Sequence, residues 1–244
     1  MKSNTIQELL ERKSVRVFTE QEILPEDKAM ILKAAAAAPT AGNQQLYTIL
    51  DITDQKLKEK LAETCDHQPF IAKAKMVLIF CADCQKWYDA FEAVGCAPRK
   101  PGAGDLMLAC SDANIAAQNA VTAAWSLGIG SCYIGDIMEQ CETHRELLNL
   151  PEYVFPAVML VFGYGSEQQM KRVKPERARI SDIVCENGYD RKQNDELREM
   201  FQYHNCPGRD YESWMKAFCE RKYNSDFSKE MSRSVLEYWK RFEE

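Results

Sequence analysis

The 244-residue chain contains no run of about 18 uninterrupted apolar residues, so no membrane-spanning helix is expected. Its opening residues, MKSNTIQELLERK, hold neither an apolar signal core nor a small-residue cleavage site. Excess positive charge is missing too. With 31 Lys and Arg against 37 Asp and Glu, the formal charge is −6. A global attraction to nucleic acid or to an anionic membrane is therefore not expected, and any anion site must be local. Histidine is scarce. None of His67, His144 and His204 sits in a local signature for a Cys–His nucleophile. Internal repeats and low-complexity linkers are absent. These absences leave a cytoplasmic protein with no nucleic-acid or membrane partner as the expectation.

What is present is a large potential core, since 45% of residues are hydrophobic. Ten cysteines are spread along the chain without any sign of secretion, which reads as reduced and mostly buried thiols. Cys81-x-x-Cys84 reads as a redox pair, as half a zinc site if Cys141-x-x-His144 folds against it, or, for Cys81 in an apolar strand, as an ordinary buried thiol.

Periodicity predicts helices over residues 4–12, 25–38, 54–65, about 105–127 and 136–150, and strands over 46–53, 74–83 and 153–165. The segment 105–127 is apolar nearly all round and rich in alanine, as a helix at the centre of a fold or interface would be. Residues 84–104 carry Gly95, Pro98, Pro101, Gly102 and Gly104 and read as an irregular, lid-like insertion. Helices outnumber strands in mixed order, giving an α+β class with a small central sheet.

Four segments carry chemistry. ERKSVRVF, residues 11–18, concentrates Arg12, Lys13, Ser14 and Arg16 in an acidic chain. A solvated face is one reading. The other notes that alternate residues of an extended chain face one way, so two guanidiniums and a hydroxyl converge as a phosphate would require. APTAGNQQ, residues 38–45, is a helix-to-strand turn, or a source of amide contacts from Asn43 and Gln45 to a heteroaromatic edge. SLGIGSCYIG, residues 126–135, has glycines after a helix, the wrong order for a Rossmann turn; close backbone approach to a flat ligand fits better. KRVKPERAR, residues 171–179, is a solvated basic loop or a second cationic cluster.

Together with DANIAAQNAVTAAWSLGIGSCYIG and VFGYG, these segments resemble the nitroreductase family of FMN-dependent oxidoreductases, over about residues 5–184. The resemblance implies a nitroreductase-like α+β homodimer. Its small sheet is mostly antiparallel, its long buried central helix lies at the dimer interface, and FMN sits between protomers. Residues 1–184 would form the FMN-binding domain, and 185–244 a helical extension on the body or on the partner. Arg12, Lys13, Ser14 and Arg16 then correspond to phosphate and ring-edge contacts, with Lys13 toward the pyrimidine side. Lys174, Arg177 and Arg179 correspond to a second basic arm. Pro39, Thr40, Ala41, Asn43 and Gln45 correspond to the loop over the other protomer's flavin. Gly130, Ser131 and Cys132 correspond to the segment beside the ring, with Tyr133 adjacent. The implied reaction is ping-pong: NADPH or NADH reduces FMN, and a nitroaromatic, quinone or similar acceptor reoxidises it. No catalytic side chain and no metal are implied. Trp87, Tyr88 and Phe91 wall the acceptor site, or else pack a short lid helix through the i, i+4 pair; Arg99 and Lys100 are candidates for attracting an anionic group. Two other readings share parts of this pattern: a flavin-binding sensor or store, and a cysteine-based metal or redox protein without flavin.

Overall fold

The computed structural model describes residues 4–243. In chain order the first elements are α1 (Asn4–Glu11), α2 (Pro25–Ala36), β1 (Tyr47–Asp51), α3 (Gln55–Thr64) and α4 (Pro69–Lys73). Then come β2 (Met76–Asp83), α5 (Gln85–Ala93), α6 (Ala103–Ser126), β3 (Gly130–Ile134), α7 (Cys141–Leu147) and β4 (Val154–Gly163). The remainder is α8 (Glu167–Lys171), α9 (Ile180–Ile183), α10 (Asn194–His204), α11 (Tyr211–Lys222) and α12 (Asp226–Trp239).

The strands form one antiparallel sheet in the order β1-β2-β4-β3. The two central strands are the two continuous apolar runs, and every residue of both is buried. Pro156 sits in β4 although proline has no N–H to give a ladder. The register between β2 and β4 shifts at Phe80/Cys81, and β3 pairs only with Met159–Gly163, so Pro156 lies at a bulge beyond the reach of β3.

Helix α6 packs on β2 and β4, and α2 packs on α6. Ala109, Ala113, Ala116, Ala117, Ala120 and Ala124 are fully buried along one face of α6, so small side chains let the helix lie close to its neighbours. The opposite face is not buried: Met107, Leu108 and Ile115 are exposed.

Two expected elements differ. Residues 84–104 are not irregular throughout, because 85–93 form α5 before the glycine- and proline-rich stretch. The helix expected over 136–150 is only seven residues long. A 3-10 turn occupies Asp136–Met138, and Gln140, at φ 50°, breaks the path before α7.

The chain divides into two compact units. The first comprises residues 1–172 and 230–244 within the described range, and the second comprises 173–229. Within the first, the C-terminal segment is tied to the loop before α7. Ser234 Oγ donates to the Met138 carbonyl at 2.6 Å and accepts from Cys141 N at 2.9 Å, while Arg233 grips Glu142. Tyr238 and Phe242 are buried there, edge-on to Phe155 and Tyr153. In the second unit Asp210 caps α11, Trp214 stacks on Phe218 at 4.8 Å, and Arg198 bonds Glu212.

Candidate functional site

Residues 14–19 run extended beside the sheet edge. Ser14 bridges Ser131 in β3, Val15 N donates to the Ser131 carbonyl, and Thr19 N donates to the Tyr164 carbonyl. Val15 points inward and is fully buried. Extended backbone then sends Ser14 and Arg16 to the other side. The Cys132 thiol marks where they converge. Burial pushes this thiol up; the nearby Arg16, Ser14 and Arg12 pull it back. Arg12 also acts on Tyr133, whose phenol burial pushes up to about 12 and whose hydroxyl donates to Gln118 Oε1 at 3.1 Å. Arg12, Ser14, Arg16, Cys132 and Tyr133 thus form one cluster around β3. Its principal feature is Arg12 Nη1, which is buried and has no hydrogen-bond partner.

Lys13 turns the other way. Its ammonium donates to the carbonyls of Met170 and, at 2.7 Å, Arg172. Gly130 has a reason of its own. A Cβ there would lie 2.5 Å from Val15 Cγ2, so the backbone approach that glycine permits is to Val15.

The loop carrying Pro39, Thr40, Ala41, Asn43 and Gln45 is organised by a residue that the sequence reading did not single out. Asp112 on α6, only 3% exposed, accepts from Thr40 Oγ1, from Ala41 N at 3.0 Å and from Leu46 N at 3.1 Å. Thr40 Oγ1 in turn accepts from Gln45 N at 2.7 Å, and Gln45 Nε2 donates to the Ala36 carbonyl. A charged side chain in a helix apolar nearly all round was the available signal.

Trp87, Tyr88 and Phe91 do line a cavity, of about 340 Å³, together with Gln44, Leu46, Cys84, Pro98, Arg99, Pro101, Asp105 and Leu108. Trp87 and Phe91 also pack at 5.6 Å between ring centres, and Trp87 Nε1 donates to the Gln44 carbonyl at 2.8 Å. The packing reading of these aromatics is therefore met, and the cavity beside them is free to take a ligand. Arg99 does not present an uncompensated charge to this cavity. Its Nη1 and Nη2 bind the two carboxylate oxygens of Asp105 at 2.6 and 3.0 Å, which holds that carboxyl below its ordinary range.

Lys174, Arg177 and Arg179 belong to the second unit. There Arg179 pairs with Glu199 at 2.7 Å and lies over the Tyr203 ring, and Arg177 bonds the Pro175 carbonyl. All ten cysteines are free thiols, six of them buried. Among the described residues no three His, Cys, Asp or Glu side chains are placed to share a metal ion. His144 is committed elsewhere. Burial pulls its pKa down, and in the neutral ring Nδ1–H donates to the Ile137 carbonyl while Nε2 accepts from Thr64.

Comparison with known proteins gives the family of the chain. A sequence model of the nitroreductase family matches residues 9–164. An FMN reductase [NAD(P)H] of Bacillus subtilis is 29% identical over 242 residues, covering 98% of this chain and 92% of that protein. An oxygen-insensitive NADPH nitroreductase of Salmonella typhimurium is 34% identical over 188 residues, covering 77% and 75%. The crystal structure of nitroreductase A from Vibrio parahaemolyticus superposes with a TM-score of 0.83 at 26% identity, covering 98% of this chain and 96% of that one. With the family model matched over residues 9–164 and a relative 34% identical over 77% of the chain, this protein belongs to the nitroreductase family.

Proposed function

We propose that the chain binds FMN at the Arg12–Arg16 cradle and works as an NAD(P)H-dependent oxidoreductase on a small flat acceptor such as a nitroaromatic or quinone. The observation that carries this reading is the buried, unpartnered Arg12 Nη1, for which an anionic oxygen is the fitting partner. Arg12, Ser14 and Arg16 hold the cofactor's phosphate and ring edge, and Lys13 closes the adjacent segment. Gly130, Ser131 and Cys132 run beside the ring. Lys174, Arg177 and Arg179 keep only the role that the resemblance implies. For Arg179 that requires giving up Glu199, an exposed pair of small net worth.

FMN, when bound, supplies the redox chemistry, accepting a hydride from NADPH or NADH and passing electrons on to the acceptor. The protein's part is to bind, orient and neutralise. Arg12 and Arg16 offset negative charge at the cofactor from a segment the fold already holds, and the aromatic walls align the acceptor. Because Asp105 offsets Arg99, the cavity of Trp87, Tyr88 and Phe91 suits an uncharged ring. Residues 84–104 serve as its lid.

A homodimer completes the site. The exposed Ile6, Leu9 and Leu10 of α1, with Met107, Leu108 and Ile115 of α6, form the apolar face that a second copy would cover. The loop of Pro39, Thr40, Ala41, Asn43 and Gln45 then reaches the partner's FMN. Residues 1–184 carry the cofactor site in this reading, and residues 185–244 extend it. Ten free thiols fit the cytoplasm.

The test is the double variant Arg12→Ala/Arg16→Ala. Loss of two charge-assisted contacts is expected to weaken FMN binding about a hundredfold, read by quenching of FMN fluorescence, with the melting temperature of the apoprotein unchanged. Full FMN retention would remove the cradle from this reading.

A further inference from the structure

We infer that Asp112 is the positioning residue for the flavin-facing loop, and that it sets, from within one protomer, the FMN affinity of its partner's site. The inference rests on the functional reading above.

One carboxylate closes the loop at both ends, taking Thr40 and Ala41 at its start and Leu46 at its finish. Thr40 relays the tie to Gln45 through its own hydroxyl. Between these points Gly42, Asn43 and Gln45 adopt φ of 55°, 57° and 49°. Gly42 and Asn43 are types that adopt this left-handed backbone readily, but for Gln45 it costs about 1 kcal/mol or more, so local preference alone does not hold the loop in this shape. What holds it is a buried charge, itself costly to desolvate and compensated by three donors. The result is a loop fixed before any ligand arrives, with Asn43 exposed, so that ordering it costs nothing at binding. The same loop presents the Gln44 carbonyl to Trp87, so the acceptor cavity is positioned by the same carboxylate.

Asp112→Asn removes the charge and offers a single acceptor oxygen to three donors. It is expected to weaken FMN binding about tenfold while leaving the dimer intact. Thr40→Val, which removes one tie and the relay, is expected to weaken it less. The decisive experiment mixes chains. Asp112→Asn and Arg12→Ala chains, carrying different affinity tags, are co-expressed and the mixed dimer is isolated. If Asp112 acts on the partner's site, both lesions fall in one site, and the mixed dimer binds one FMN per dimer with wild-type affinity. If the mixed dimer has no wild-type site, Asp112 acts on its own protomer and the assignment is overturned. An Asp112→Asn dimer that binds FMN as wild type does also overturns it, while the functional reading stands. A wild-type chain that is monomeric or takes up no FMN overturns the functional reading, and this assignment with it.

Discussion

A single missing methyl group at Gly130 lets residues 14–18 lie against β3. The sequence pattern implies close approach of a flat ligand at that glycine; within the chain the close approach is that of Val15, whose Cγ2 would stand 2.5 Å from an added Cβ. Pattern alone did not distinguish the two, because both need the same small residue. Gly130→Ala is therefore expected to destabilise the fold by about 1–3 kcal/mol through overpacking, measured by urea unfolding. Because the Val15 Cβ would itself stand 2.7 Å from the added Cβ, Val15→Ala in the same chain should recover only a small part of the loss; full recovery would show that the Val15 methyls alone are the obstacle. Arg12, Ser14 and Arg16 were legible because an extended chain has a period of two. Asp112 was visible as a letter but not as a role, since its partners lie at least 66 residues away in sequence.

At the scale of elements, α6 and the central strands were legible, because uniform burial leaves uniformly apolar sequence. Helix α5 was obscured by the glycines and prolines that follow it, although the Trp87–Phe91 spacing was a helical signal. Helix α7 was overextended because a left-handed Gln140 has no distinctive sequence mark. The turn between β3 and α7 has a property that sequence does not show. Glu139 is buried, its Oε1 has no partner, and burial, with Asp136, Asp66 and Glu230 near it, pushes its carboxyl up to about 7. A carboxyl whose folded pKa exceeds its unfolded value favours the folded state when protonated. Its contribution is full below about pH 4.5 and is lost as pH rises through about 7. Glu139→Gln is expected to raise the melting temperature at pH 8 by about 3 °C and to leave it nearly unchanged at pH 4.5. An equal effect at both pH values would show that Glu139 does not titrate in this way.

For the whole molecule, the apolar face of α1 and α6 and the unpartnered Arg12 Nη1 enter the proposed account together: in the homodimer proposed above, cofactor retention depends on assembly. Charges placed on that face, as in Leu10→Asp/Ile115→Asp, should on this proposal produce a monomer in sedimentation and abolish FMN retention in the same preparation, the cradle and the covering loop being assigned to different copies. A monomer that keeps FMN would show that one chain holds the complete site. The central claim, that this protein turns over FMN with NAD(P)H, is tested most directly by the visible spectrum of the purified protein before and after NADPH or NADH is added without oxygen. Flavin absorption that bleaches on addition and returns with a quinone is the expected result. A protein that stays colourless after FMN is supplied, or whose flavin bands persist with both donors, would contradict it.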